Sequence, residues 1–301
     1  GLNDQSINGL IKQTENPRFA WDSYRRFIQM FSNVVMGLDG DLFENAINVM
    51  KNSRNAASDT DLTAEDLQEL VAEFKKIFSE NVSGVEYPSL LVDGVVAFPQ
   101  DPMVQLKLAI EAVFGSWNNP RAVLYRKKNK IADDLGTAVN VQSMVFGNKG
   151  NSSATGVAFT RNPANGQKEF YGDYLVNAQG EDVVAGIRNT SPIAELKHVE
   201  GLEEAGKQLE EIFVVLENHF RDMCDSEFTI EQGKLYMLQT RVGKRTAAAA
   251  LHIAIEMEKE GLISKEEAVM RVEPEQLDQL LHPQFDKNAE YDVLARGLNS
   301  S

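Results

Sequence analysis

The sequence predicts an α+β protein, in which a mainly antiparallel set of strands is preceded and followed by helices. Three observations carry this prediction. From residue 13 to about residue 116, apolar side chains recur at helical spacing. Near Arg121 the period falls to two, in short runs broken by Gly, Asn and Pro. After Arg241 the helical period returns and lasts to about Leu281. The corresponding division is a short segment 1–12, a helical subdomain 13–116, a strand-rich core lobe 117–243 and a helical linker 244–301.

Each element has a local reason. Phe19, Tyr24, Phe27, Ile28, Phe31, Val34 and Val35 form a helical stripe from Pro17 to Met36. Asp41 can cap a helix through Met50, and Thr63 or Asp61 one over Ala64–Glu80, with Glu65 and Asp66 suited to its first turn. Asp101-Pro102 opens another helix, and Asn81–Gln100 is read as the loop before it. Strands are expected over Thr137–Phe146, Gly156–Thr160 and Lys168–Val176, with a loop plus strand over Gly180–Ile187. A helix beginning at Ile193 or Gly201 leads to Met223. Beyond the strands, Thr246–Glu260 is alanine-rich, Gly261 ends it, Ser264-Lys-Glu-Glu267 reads as a capping box, and Glu275–Leu281 closes the series.

Composition narrows the function classes. Hydrophobic content of 43% and charged content of 25% describe a soluble globular protein, and no apolar run reaches membrane-spanning length. No signal peptide pattern is visible after Gly1. A formal net charge of −15 argues against nonspecific binding to nucleic acid or anionic membrane. It leaves nucleotide binding open, because local Arg and Lys side chains or Mg²⁺ can neutralise phosphates. The single cysteine, Cys224, excludes an intrachain disulfide, fits a reducing compartment, and is read as a buried bystander beside Asp225.

The most informative segment is a hairpin, Asp225-Ser-Glu227-Phe-Thr-Ile, Glu-Gln-Gly, then Lys234-Leu-Tyr-Met-Leu-Gln239-Thr-Arg241. Period-two alternation puts Asp225, Glu227 and Thr229 on one face of the first strand, and Leu235, Met237, Gln239 and Arg241 on one face of the second. A three-residue loop, Glu231-Gln232-Gly233, with Gly233 left-handed would set Asp225 opposite Gln239 and Glu227 opposite Met237. It would gather Phe228, Ile230, Tyr236 and Leu238 in one apolar layer. A two-residue loop would send Glu227 and Gln239 to opposite faces, so the three-residue loop is preferred. By pattern alone the hairpin is either an ordinary amphipathic one or a site wall. Arg121 and Arg126, followed by Lys127, Lys128 and Lys130, either grip oxyanions or form a solvated helix end. The Gly147–Gly156 segment has backbone donors and hydroxyls but lacks the P-loop ending. Asp173, Glu181 and Asp182 add carboxylates near strand ends. The four histidines have no metal-ligand spacing.

Several longer segments resemble the pyruvate, phosphate dikinase family over essentially the whole chain. They are Asn16–Met30, Gly136-Thr-Ala-Val-Asn-Val-Gln142, Thr155-Gly-Val-Ala-Phe-Thr-Arg-Asn-Pro163, Asn177-Ala-Gln-Gly-Glu-Asp182 and Leu238-Gln-Thr-Arg241. Phosphoenolpyruvate synthases share the Gly136, Thr155 and Leu238 motifs, whereas Asn16–Met30 favours the dikinases. The resemblance implies an ATP-grasp lobe that binds ATP or AMP with Mg²⁺. By motif, Glu227 and Gln239 become the ATP and Mg²⁺ contacts, Asp225 assists in both, Arg241 is a phosphate contact, and Arg25 is a further nucleotide contact carried over from the helical segment. It also implies a cytoplasmic enzyme (organellar in some eukaryotic relatives), homodimeric at full length. An N-terminal ATP-grasp lobe and a phosphohistidine domain are expected elsewhere in the full-length chain, so these 301 residues are expected to be inactive alone. Ala154 departs from the glycine found at its place in many members.

Overall fold

The computed structural model describes residues 1–184 and 188–281, the side chains of Val184 and Gln279 excepted. The chain divides into two compact units, Gly1–Ser143 and Met144–Ser301.

In the first unit, α1 (Ser6–Thr14), α2 (Pro17–Met30), α3 (Asp41–Arg54) and α4 (Ala64–Asn81) precede a small hairpin, β1 (Leu91–Val92) and β2 (Val95–Val96). The helices α5 (Pro102–Gly115) and α6 (Pro120–Lys128) follow. Helix starts are set by side chains that satisfy otherwise orphaned N–H groups. Asn16 accepts from the Phe19 amide ahead of Pro17, and Thr63 and Asp66 form a reciprocal capping box. Asp101 accepts from the Met103 amide in the same way. Asp41 is not a cap: Gly40 holds that position and Asp41 lies in the first turn, where its charge favours the helix dipole. The α2 stripe runs on through one π-helical turn, Phe31–Val35. Asn81–Gln100 is more than a loop, since Asp93 and Gly94 both take positive φ and close the β1–β2 hairpin.

Tyr24, Ile28, Phe43, Phe74 and Phe78 are fully buried, each contributing about 1.5–3 kcal/mol relative to exposure. Phe98 lies at the centre of this core, with ring centroids 5.3 Å from Phe78, 5.5 Å from Phe31 and 5.8 Å from Phe27. One edge is ionic. Asp22 receives Arg25 Nε at 2.8 Å and Arg26 Nε at 3.1 Å, and Arg25 also reaches Asp59 at 3.0 Å. Burial pushes the Asp22 carboxyl up, but Arg25, Arg26 and Arg18 outweigh it and hold it below the usual carboxylate range.

In the second unit, β3 (Ala154–Phe159), β4 (Tyr171–Val176), the short α7 (Gly180–Val184) and β5 (Ser191–Pro192) come first. Next are α8 (Glu203–Phe220), β6 (Cys224–Glu231) and β7 (Lys234–Val242). Three helices end it: α9 (Ala247–Lys259), α10 (Lys265–Met270) and α11 (Pro274–Leu281). The strands form one open antiparallel sheet in the order β5-β4-β3-β6-β7. With the small hairpin sheet and the helices, this gives the expected α+β class.

One sheet face is closed by α8 and the 3₁₀ turn Ile193–His198, which pack Leu196, Leu209 and Phe213 against Ala154, Ala158, Phe228 and Ile230. Gly156 makes room for this core: a Cβ there would lie 2.7 Å from the Phe228 ring and 2.6 Å from the Asp173 carbonyl. Ala154 is the first residue of β3 and fully buried on this face, so its methyl fills the core.

Two strand expectations fail. Thr137–Phe146 forms no strand, with Val141 and Met144 exposed, because it pairs with no other strand among the described residues. Alternation supplies propensity, but the backbone ladder needs a neighbour. Residues 180–184 are helical rather than loop and strand, and 185–187 lie outside the described residues.

The end of β3 is tied to two helices by Arg161, which has no exposed side-chain surface. Its Nε and Nη2 donate to the Glu217 carboxylate on α8 at 2.8 and 2.9 Å, and Nη2 also reaches Glu260, just past α9, at 2.8 Å.

Three outcomes are expected. Arg161→Ala leaves Glu217 buried without its partner and costs about 3–5 kcal/mol. By calorimetry, Lys168→Ala, which removes an exposed contact to Glu260, costs less than about 1 kcal/mol. Asp22→Asn destabilises the first unit at neutral pH. Because the folded-state value of Asp22 is depressed, its contribution is present above the ordinary carboxylate pKa of about 3.9 and is lost as pH falls through the lower folded value. The wild-type and mutant urea midpoints therefore converge in acid. Tryptophan fluorescence reads this unit alone, since Trp21 and Trp117 both lie in it.

Candidate functional site

The sheet face turned away from α8 carries the polar side chains. The registers place Arg241, Asp225, Phe159 and Tyr171 in one row across β7, β6, β3 and β4. The next row is Gln239, Glu227, Val157 and Asp173, and the third is Tyr236, Thr229, Thr155 and Leu175. Thr155 and Thr229 are buried in the third row and share a 3.2 Å hydroxyl contact. In the first two rows Tyr171, Asp173, Gln239 and Arg241 are exposed, and Val157 and Phe159 are half-buried between them.

Glu227 and Gln239 face the same side, as expected, but the route differs. The turn has two residues, Gln232 and Gly233, with φ of 51° and 78°, and Glu231 pairs with Lys234. Such a turn in an unbroken ladder would oppose Glu227 to Leu238. Instead the register shifts between Glu227 and Phe228, leaving Leu238 as the extra residue of a β-bulge. Asp225 therefore stands opposite Arg241 rather than Gln239, and Glu227 opposite Gln239 rather than Met237. The apolar layer changes too: Leu235 and Met237 join Phe228 and Ile230 against α8, while Leu238 is 37% exposed. Tyr236 moves to the polar face.

The Gly147–Ser153 loop explains the turn. Ser152 O accepts from the Gly233 amide at 2.7 Å, and Ser153 Oγ from the Gln232 amide at 2.9 Å. Glu231 accepts from the Phe146 amide at 2.7 Å and pairs with Lys149. On its other side the loop bonds to Asn177 and Ala178 through backbone groups. The loop latches the strand ends together chiefly as an acceptor, through the Gly147, Ser152 and Ser153 carbonyls and Ser153 Oγ, with the Gly150 amide donating to Asn177 Oδ1.

Arg241 Nε donates to Asp225 at 2.7 Å, and its Nη2 lies 3.9 Å from the Glu227 carboxylate. The Asp225 side chain is 8% exposed, whereas Glu227 and Arg241 are 41% and 54% exposed. The bond to Asp225 holds the Arg241 guanidinium above its ordinary pKa, so it stays a cation. Asp225 is committed to orienting Arg241, while Glu227 and Gln239 present oxygens to solvent.

Most other candidates are engaged by partners of their own. Arg25 is 3% exposed in the first unit, within the Asp22–Asp59 ion cluster. Arg126 is buried on Trp117, 4.1 Å from its ring, and bonds Asp133 at 2.7 Å, while Arg121 and Lys127, Lys128 and Lys130 are exposed. Asp182 accepts from the Gln179 amide at the start of α7. Cys224 is buried, and burial, then Asp222 and Glu217, push its thiol up to about 11, which makes it inert. The Phe159–Tyr171 pair, with centroids 6.2 Å apart, stands in the row of Asp225 and Arg241; Phe159 falls within the Thr155–Pro163 motif, but nothing in the sequence pairs it with Tyr171.

The donor set suits Mg²⁺ of one kind only. Among the described residues, no three His, Cys, Asp or Glu side chains form a metal cluster, so there is no all-protein cage. Glu227 and the Gln239 amide are hard oxygen donors on one face, with Asp225 beside them held by Arg241. That is enough for Mg²⁺ when nucleotide phosphates complete the shell.

Residues 42–200 and 191–262 match the family model described as pyruvate phosphate dikinase, AMP/ATP-binding domain, and the chain belongs to that family. It is 56% identical over 289 residues to pyruvate, phosphate dikinase of Clostridium symbiosum, covering 96% of this chain and 32% of that protein. Identity to the enzyme of Rhizobium meliloti (strain 1021) is 52% over 311 residues, covering 100% and 33%. The chloroplastic pyruvate, phosphate dikinase 1 of Arabidopsis thaliana is 50% identical over 303 residues, with 100% and 30% covered. The chain thus spans about a third of the length of these relatives.

Engineered cysteines test the bulged register. Ser226 Oγ lies 3.2 Å from Thr240 Oγ1, so Ser226→Cys with Thr240→Cys is expected to form a disulfide on mild oxidation. Ser226→Cys with Gln239→Cys spans opposite faces and is expected to stay reduced in mass spectrometry of nonreduced peptides.

Proposed function

We propose that the exposed rows of the sheet face form one wall of an ATP-grasp cleft and bind ATP or AMP through the phosphates. The observation that carries this reading is the single group made by Glu227, Gln239 and the Asp225-oriented Arg241. Arg241 would grip phosphate oxygens with a guanidinium whose plane Asp225 has already fixed. Glu227 and Gln239 would hold Mg²⁺ against those phosphates, with Asp225 beside them; the ion supplies charge neutralisation when bound. Arg25 is assigned to the framework instead, because Asp22 and Asp59 take its guanidinium.

In this proposal the chain is the nucleotide-binding portion of an enzyme that converts ATP, pyruvate and phosphate to AMP, phosphoenolpyruvate and diphosphate. A histidine on a separate domain is the phosphoryl carrier, and a further N-terminal lobe closes on the nucleotide. The working division remains 13–116 as helical subdomain, 117–243 as core lobe and 244–301 as a linker towards the carrier domain. The whole enzyme is proposed to be a cytoplasmic homodimer. No described helix is long and apolar enough to cross a membrane.

Isothermal titration with Mg-ATP tests the site. The folded chain is expected to bind, Glu227→Ala to weaken binding about tenfold or more, and Arg241→Met by a similar factor, as expected for lost charge-assisted contacts. An unchanged affinity in Glu227→Ala would remove this carboxylate from the site. Heat flow that is absent from the folded wild type would show that this face does not bind nucleotide by itself.

A further inference from the structure

We propose that Ser153 and Glu231 are positioning residues for the nucleotide face. Of two registers open to the β6–β7 hairpin, they select the one that pairs its polar side chains. The consequence for nucleotide rests on the function proposed above, whereas the choice of register does not.

Two registers keep Glu227 and Gln239 on one side of the sheet. In the observed one, the Gln232-Gly233 turn and the bulge at Leu238 set Asp225 opposite Arg241 and Glu227 opposite Gln239. In the other, a Glu231-Gln232-Gly233 turn without a bulge would set Asp225 opposite Gln239, Ser226 opposite Leu238 and Glu227 opposite Met237. Arg241 would then stand beyond Asp225, opposite Met223, and both directly opposed polar pairs would be lost.

The local chemistry of the hairpin favours the second register. The observed turn holds Gln232 as well as Gly233 left-handed, with φ of 51° and 78°, and a side chain makes that conformation costly. A three-residue turn asks it of Gly233 alone. The bulge also disrupts the ladder at one residue. Apolar area separates the two weakly. Leu235 and Met237 meet the α8 core in one, and Tyr236 and Leu238 would in the other.

The strained turn is held from outside the hairpin. Ser153 Oγ accepts from the Gln232 amide at 2.9 Å, and Ser152 O accepts from the Gly233 amide at 2.7 Å. Ser153 is fully buried and its own backbone is fixed twice. Its amide donates to Gly150 O at 3.0 Å, and its carbonyl accepts from the Asn177 amide at 2.8 Å. Glu231 accepts from the Phe146 amide at 2.7 Å and pairs with Lys149. These contacts keep Glu231 in the β6 ladder opposite Lys234, and so out of the turn. One hydrogen bond shifts an equilibrium about two- to tenfold, so the set together outweighs one left-handed side chain.

Cysteine pairs read the register directly, by mass spectrometry of nonreduced peptides after mild oxidation. Ser226→Cys with Thr240→Cys reports the observed register, and Ser226→Cys with Leu238→Cys the shifted one. In the otherwise intact chain only the first pair is expected to close. In Ser153→Ala with Glu231→Ala the second pair is expected to close, and the yield of the first to fall about threefold or more. Ser153→Ala alone, the milder change, is expected to move both yields the same way by a smaller factor. Adding Gln232→Gly relieves the left-handed residue and is expected to restore the first pair, a rescue that a general loss of stability would not show. Mg-ATP affinity, measured without the added cysteines, is expected to fall about fivefold in the double variant and to return with Gln232→Gly. A folded double variant that still closes only the first pair would overturn the proposal. So would a shifted register with unchanged affinity, or a failure of Gln232→Gly to restore the first pair. If the intact chain binds no Mg-ATP, the function proposed above fails, while the cysteine pairs still decide the register.

Discussion

The second unit is organised around a guanidinium that water cannot reach. Arg161 leaves the end of β3 and is held in two parallel bonds by Glu217, with a third contact to Glu260. Desolvating such a charge is expensive, and only close, well-aligned partners offset the cost. The arrangement therefore tolerates one placement of α8 and of the α9 end relative to the sheet. Thr160 adds to it, donating to Glu217 and accepting from the Cys224 amide, which joins β3 to the start of β6. With α8 fixed on one face, the other face of the same strands keeps its polar rows exposed.

On that face, charge is divided by burial. Asp225 and Glu227 are carboxylates two residues apart on one strand, yet one is nearly closed off and the other is open. The buried one neutralises and orients Arg241; the open one keeps its oxygens available. An isolated surface ion pair would contribute little stability. Here its value lies in orientation, since an arginine already in place loses less freedom when an anion arrives. Arg241 is thereby kept as a fixed cation on a face that Asp225, Glu227 and Asp173 leave net negative.

Helix starts were legible because capping is local chemistry. Asn16-Pro17, Thr63 with Asp66, Asp101-Pro102 and Ser264 all act within a few residues of themselves. The residues of the hairpin group were legible for the same reason, and motif resemblance singled them out. Register was not, because distant partners decide it. Gln232 adopts a left-handed conformation that glycine or asparagine would take more readily. Contacts from Ser152 and Ser153, far off in sequence, hold the turn there. Likewise Leu235 and Met237 rather than Tyr236 and Leu238 meet the core, a choice made by the fit against Phe228 and Ile230 and invisible to alternation alone. Thr137–Phe146 fails in the opposite sense: its pattern is sound, but a strand is a relationship between segments.

The bulge at Leu238 acts as an expansion joint. What must be preserved between Glu227 and Gln239 is the parity of the intervening residues, not the length of the turn. A two-residue turn with one bulged residue and a three-residue turn with none have the same parity, and both leave the carboxylate and the amide on one side. Single-residue insertions and deletions in this hairpin are therefore expected to survive in related genes as compensated pairs, one at the tip and one along the strand. Uncompensated changes would turn the site inside out without disturbing a single side chain's identity.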